Sequence, residues 1–424
     1  MMESTPTLSS SPESSFWRLA LSWRMVVTLL LGFSSGLPLA LVGTTLQAWY
    51  TVSGVSLAAI GSLTLIGQPY VYKFLWAPIF DHFSPGFLGR RRGWILLLQF
   101  ALVAGLAVMA MLNPHTSPWL LSIIALVVAI FSATQDINID GYRTDLLTVE
   151  ERGLGAAMVN AGYRIAMLVS GGLAMALAAE WGFRSVYLLM AGLILLHGVV
   201  TWYGPEPNYQ SKVRTAFYKT LLNSLKDFLT RPFVYWILIF VILYKLGDAF
   251  VLSLGTAFLI RGLHFSLLDV GLIYKTVGMV AVLLGAFLGG LWMVRLSLYR
   301  ALLYFGILQL LSNLPFVLLA VVGKNYSLMV MAIFTESFCS GLGTVAFMAF
   351  LMTLCNVQYS ATQYALLSAF AAVGRTFIGP IAGLMMTHMN WAQFYLWGFL
   401  SGIPGLLLLM WLKGKVNFSA SRFT

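Results

Sequence analysis

Ten ionisable side chains sit inside otherwise apolar stretches of this sequence: Lys73, Asp136, Asp140, Arg143, Arg164, Lys245, Asp248, Lys275, Glu336 and Arg375. A charge at the centre of a bilayer costs about 2.5–3.5 kcal/mol even on the most lenient insertion scale. Groups of this kind line aqueous paths or pair with one another. Asp136, Asp140 and Arg143 are spaced i, i+4, i+7 and share one helix face. Two neighbouring carboxylates in a low-dielectric site repel, which suits reversible protonation. These two aspartates, with Glu336 third, are the candidates for carrying protons. Lys245 and Asp248, at i and i+3, can neutralise each other. Permanent salt bridges between helices are the competing reading of both groups. Lys73 has a further alternative, snorkelling to the nearby interface.

Six embedded cations face four embedded carboxylates, an excess that suits a polar solute bearing carboxylates. Lys73, Arg143, Arg164, Lys245, Asp248, Lys275 and Arg375 are therefore read as groups that grip such a solute or exchange ion pairs between states. Tyr72, Trp76, Gln135 and Asn160 are the candidate contacts to sugar or peptide. His197 reads as structural.

The elements that must hold these residues follow from composition. Of 424 residues 59% are hydrophobic and 9% charged, against roughly a quarter charged in soluble domains. Mean hydropathy is +0.86. A soluble enzyme, a disordered chain and a fibre are excluded. So is a membrane β-barrel, whose short alternating segments are absent from these long apolar runs. The chain reads as an all-α polytopic membrane protein with twelve spans, near 25–49, 57–80, 94–112, 118–142, 154–180, 185–203, 233–260, 267–293, 299–322, 327–356, 361–388 and 391–412. They group as two six-helix bundles, 25–203 and 233–412. Residues 204–232 form a linker in which Phe217, Leu221, Leu222, Leu225 and Phe228 recur at helical spacing, as in an amphipathic surface helix. Residues 1–24 and 413–424 read as tails, the first as a disordered tail without a signal-peptide cleavage site.

With the termini placed in the cytoplasm, 16 Lys and Arg lie on the cytoplasmic side and only Arg184, Arg261 and Lys324 lie outside. That asymmetry fixes both termini as cytoplasmic. It also accounts for the net charge of +11 without invoking nucleic acid. The halves look like a parallel repeat: Ser56-Leu57-Ala58-Ala59-Ile60-Gly61 recurs as Ser266-Leu267-Leu268-Asp269-Val270-Gly271, and Arg164 matches Arg375 at nearly the same offset. Spans 3, 6, 9 and 12 carry no embedded charge, as expected if they face lipid while the others enclose a wet cavity. Gly32–Gly36, Gly285–Gly289 and Gly379–Gly383 read as close helix contacts. Cys339 and Cys355 lie too far apart on one helix to bridge. No metal-ligand spacing, phosphate loop or nucleophile elbow is present. No cofactor is expected, and an ion gradient is the expected energy source.

Several motifs narrow this reading. Asp81 with Gly89-Arg90-Arg91-Arg92-Gly93 resembles the loop motif of the major facilitator superfamily. Gly32-Phe33-Ser34-Ser35-Gly36-Leu37-Pro38-Leu39, Tyr72-Lys73-Phe74-Leu75-Trp76-Ala77-Pro78, Ser132-Ala133-Thr134-Gln135-Asp136-Ile137 and Glu150-Glu151-Arg152-Gly153 resemble the AmpG family of muropeptide permeases. So do Tyr244-Lys245-Leu246-Gly247-Asp248-Ala249-Phe250 and Leu351-Met352-Thr353-Leu354-Cys355-Asn356. The resemblance implies a proton-coupled, non-enzymatic symporter of the bacterial inner membrane, a monomer in the lipid bilayer. Its cargo would be GlcNAc–1,6-anhydro-MurNAc peptides, taken from periplasm to cytoplasm for cell-wall recycling and linked to β-lactamase induction. Two alternatives stand beside it. One is a major facilitator exporter or importer of another anionic metabolite. The other is a membrane-embedded enzyme acting on lipid-linked sugars, for which the aspartate pair would do acid–base chemistry.

Overall fold

The computed structural model describes residues 21–83, 85–148, 151–206, 226–355 and 360–416. Residues 1–20 of the expected tail and 207–225 of the linker lie outside the described residues; 226–229 are helical with Phe228 buried, and the first helix begins at Trp23. Among the described residues there are helices and no strands.

Ten helical stretches are long and apolar enough to cross a membrane. The twelve-span reading is recovered by two physical facts. One stretch of 50 residues, Leu154–Tyr203, is two crossings joined without a loop. The chain reverses at Gly182, whose φ of 76° is a left-handed conformation that favours glycine. The second span is a chain of short pieces, none long enough alone: Leu57–Ser62, the 3₁₀ turn Leu63–Gly67, Gln68–Tyr72, the 3₁₀ turn Lys73–Leu75, and Ala77–His82. Pro69, without an N–H to donate, falls in this interrupted region. In chain order the crossings are α1 (Trp23–Val52), α2 (57–82), α3 (Arg90–Met111), α4 (Pro118–Leu146), α5 (152–181), α6 (183–203), α7 (Val234–Gly262), α8 (Leu267–Met293), α9 (Leu298–Val322), α10 (Tyr326–Thr353), α11 (Ser360–Met385) and α12 (Trp391–Leu412).

Helices α1–α6 and α7–α12 pack chiefly among themselves. Small residues set the closest approaches. A Cβ on Gly36 would meet the Tyr163 carbonyl at 2.5 Å, so α1 and α5 touch backbone to backbone. Gly285 does the same for α8 against Phe338 of α10. The large apolar side chains left exposed lie on the charge-free helices among others. They include Leu97 and Phe100 on α3, Leu195 and Leu196 on α6, Tyr304 and Leu308 on α9, and Trp397 and Leu407 on α12. These are the faces expected to meet acyl chains.

The two halves are joined at one end of the bundle, the end opposite the Arg90–Arg92 loop. Gly383 of α11 lies so close to α2 that a Cβ would stand 2.6 Å from the Leu57 carbonyl. Gly172 of α5 and Gly271 of α8 face each other, and a Cβ on Gly271 would meet the Gly172 carbonyl at 2.6 Å. At the same end Arg261 of α7 reaches the last turn of α1. It donates to the carbonyls of Thr51 at 2.7 Å, Val55 at 2.5 Å and Tyr50 at 3.0 Å. The Tyr50 and Thr51 carbonyls also accept from the Val55 and Gly54 N–H groups at 3.1 and 3.3 Å, so the guanidinium adds a second, charged donor at this chain end.

Candidate functional site

The embedded charges divide into paired and unpaired groups. Asp136 of α4 is buried and accepts from the Ser35 hydroxyl of α1, with the Lys73 ammonium of α2 3.5 Å from its other oxygen. Lys73 therefore neither stands free nor snorkels. Asp140 pairs with Arg143 of its own helix at 3.0 Å and is half exposed. Asp136 and Asp140 thus each face a cation of their own as well as each other. Lys245, at the joint between two helical pieces of α7, donates to Asp248 at 3.2 Å and to Thr344 of α10 at 3.0 Å. Gln309 of α9 and Ser340 of α10 donate to the same Asp248 oxygen. With three donors converging on Asp248 from three helices, this pair is a fixed joint of the second half.

Four groups remain without an opposite charge, and all four line one hollow between the halves. A cavity of about 280 Å³ is bounded by Arg164 of α5, Lys275 of α8 and Glu336 of α10, with Ser337 and Ser340. A second, of about 290 Å³, is bounded by Lys275 again, Arg375 of α11, and residues of α1, α2 and α7. Lys275, Met167 and Leu252 line both, so the two are adjoining compartments. Among the described residues no salt bridge joins Arg164, Lys275 or Arg375 to a carboxylate. The Arg164 Nε is buried without a hydrogen-bond partner among the described residues. Lys275 lies over the Tyr274 ring at 4.8 Å, and among the described residues Glu336 accepts from Ser337 at 3.1 Å. Three positive charges and one carboxylate around a hollow can bind and release an anionic solute.

Local backbone geometry aims these residues. Helices α1, α5, α7 and α8 each contain a π-helical turn, at 41–45, 168–173, 258–262 and 270–274. In α8 that turn ends immediately before Lys275. Such turns rotate the side chains that follow them relative to an unbroken helix, and they recur at functional sites.

The remaining candidates fall elsewhere. Gln135 is fully buried and donates to Ser34 at 2.8 Å, and Gln99 and Thr201 extend the network across α1, α3, α4 and α6. It ties helices together away from the hollow. Trp76 donates its indole N–H to Thr134 at 3.1 Å. Tyr72 and Asn160 line neither compartment, and Asn160 is exposed on α5. His197 stacks on Phe33 with ring centres 5.0 Å apart, a structural role as expected. The side chain of Asp81 lies outside the described residues. In the same loop region Arg90 and Arg91 reach Asp145 at 3.6 and 3.2 Å, and Arg92 reaches Glu206 at 2.8 Å. Tyr70, Thr44 and Gln47 line the second compartment and were not among the candidate contacts. A larger hollow of about 670 Å³ between α2, α4 and α11 contains none of the ten embedded charges.

The sequence pattern of the Major Facilitator Superfamily matches residues 24–376. The chain belongs to that superfamily. Within it, this major facilitator is 48% identical over 407 residues to the anhydromuropeptide permease of Escherichia coli (strain K12), which covers 96% of this chain and 83% of the relative. The resemblance to the AmpG permeases is thereby established. The fold of this major facilitator is shared with the nucleoside transporter NupG (TM-score 0.70, 12% identity, 92% of this chain and 99% of that one). It is shared also with a D-xylose–proton symporter (TM-score 0.67, 14% identity, 93% and 98%). A multi-pass membrane transporter of this family is a carrier rather than an enzyme, which removes the lipid-linked-sugar reading.

Proposed function

We propose that this major facilitator imports GlcNAc–1,6-anhydro-MurNAc peptides from periplasm to cytoplasm, driven by the proton gradient. In this reading it acts as a monomer in the bacterial inner membrane, with both termini cytoplasmic and no cofactor. It serves cell-wall recycling and, through it, β-lactamase induction. The observation that carries the reading is the set Arg164, Lys275 and Arg375, three cations without carboxylate partners around one hollow between the halves. The peptide carboxylates of such a cargo are the counter-charges this hollow lacks. The 48% identity to an anhydromuropeptide permease supports the same cargo.

Proton coupling is assigned first to Glu336, the carboxylate with no neutralising cation. Asp136 and Asp140 would contribute by releasing Lys73 and Arg143 during the cycle. The end sealed by Arg261 is then periplasmic, and the halves rock about the hollow to open each side in turn. The test is uptake into proteoliposomes loaded with a pH dye. Acidification of the lumen on adding anhydromuropeptide is expected. Uptake that is indifferent to collapse of the proton gradient would end the coupling assignment. No uptake of muropeptide at all would end the cargo assignment.

A further inference from the structure

The two compartments differ in chemistry. The one holding Arg164 and Glu336 is otherwise lined by serine hydroxyls, methionine and aliphatic groups. The other, nearer the Arg261 seal, presents Thr44, Gln47, Thr64 and Tyr70, with Arg375 at its side. Gln47 spends one amide hydrogen on the Ser253 carbonyl at 3.3 Å. The Thr64 hydroxyl donates to the Thr376 carbonyl at 2.8 Å, leaving lone pairs to accept. The Tyr70 hydroxyl is buried toward Ser132 of α4, and the residue lines the compartment. A flat ring beside short uncharged donors and acceptors suits a solute with an apolar face and a polar edge.

We propose that this second compartment is a pyranose site. A sugar ring would lie against Tyr70, with its hydroxyl and acetamido groups on Gln47, Thr44 and Thr64, and the lactyl carbonyl that carries the peptide toward Arg375. The cargo then binds in one direction. Its sugar end enters toward the Arg261 seal, and its peptide end lies with Arg164, Lys275 and Glu336. This rests on the muropeptide reading above and adds to it a site and an orientation.

The test is equilibrium binding to the purified full-length protein of two ligands, the GlcNAc–anhydro-MurNAc disaccharide alone and the same disaccharide bearing its peptide. Tyr70→Ala and Gln47→Leu are expected to weaken both ligands by a similar factor, about tenfold each. Tyr70→Phe keeps the ring and is expected to lose only a few-fold. Arg164→Gln is expected to weaken the peptide-bearing ligand and leave the disaccharide within twofold. Thermal unfolding of each variant identifies a protein that has failed to fold, and for such a site the conservative Tyr70→Phe and Gln47→Glu variants are read instead. Unchanged disaccharide binding in folded Tyr70→Ala and Gln47→Leu would overturn the pyranose site. Equal loss of both ligands in Arg164→Gln would overturn the orientation. Failure of the unaltered protein to bind either ligand would overturn the muropeptide reading, and this site with it.

Discussion

Arg261 offers the sharpest perturbation of the transport cycle. Its guanidinium makes three hydrogen bonds, to Tyr50 and Thr51 at the carboxyl end of α1 and to Val55 just beyond it, and parting the two halves at that end would break them. A hydrogen bond to a charged group contributes about 1.5–3 kcal/mol, but this side chain is partly open to solvent and its carbonyl partners regain water on opening. The net bias of the three together is taken as about 1–3 kcal/mol, a shift of roughly 5- to 150-fold in the ratio of closed to open forms. The assay uses a cysteine-free background, with Cys339 and Cys355 replaced, carrying Gln47→Cys below the seal. A membrane-impermeant thiol reagent is added from the Arg261 side. Arg261→Ala is expected to raise the labelling rate at position 47 at least fivefold, and Arg261→Lys, which keeps charge but not the fork, by less. A labelling rate within twofold of the parent in folded Arg261→Ala would refute the clasp.

Other expectations follow from the same geometry. Gly383→Leu inserts a side chain where a Cβ already stands 2.6 Å from the Leu57 carbonyl. It should abolish transport and raise labelling at position 47, whereas Gly290→Ala, with open space around it, should keep transport within twofold. Lys73→Met strips the cation from buried Asp136. Removing one partner of a fully buried pair costs about 3–5 kcal/mol, and with the Lys73 side chain 31% exposed a loss nearer 1–3 kcal/mol is expected in detergent unfolding. Lys73→Met combined with Asp136→Asn should recover most of that stability. Asp248→Ala leaves Lys245, Gln309 and Ser340 without their shared acceptor. It should destabilise the protein by about 2–4 kcal/mol, and Lys245→Met in addition should lessen the loss.

Which helices line the hollow was legible in the sequence because a charge in hydrocarbon is costly. Helices bearing such charges must turn them inward, and α3, α6, α9 and α12, which bear none, show apolar side chains outward. Which charges pair was not legible. The Lys73–Asp136 and Asp248–Gln309 contacts depend on how separate helices are set against each other, and spacing within one helix carries no record of that. The inward face of α2 was hidden for a different reason. Its 3₁₀ turn at 63–67 advances three residues per turn rather than 3.6, so no single helical phase shows which residues of α2 face inward, and Tyr70 rather than Tyr72 lines the hollow. Arg261 counted in the sequence only as one of three basic residues outside. Its partners are backbone carbonyls, which no side-chain pattern announces.

The central claim is that the unpaired cations bind cargo while the paired ones hold helices. It is tested most directly by the affinity of purified protein for labelled anhydromuropeptide in two variants. One neutralises Arg164, Lys275 and Arg375 to Gln, and the other replaces the Lys73–Asp136 pair with Met and Asn. The account predicts a fall of roughly 100-fold or more in the first and less than about threefold in the second. Full affinity in the first variant, with monodisperse folded protein, would contradict it.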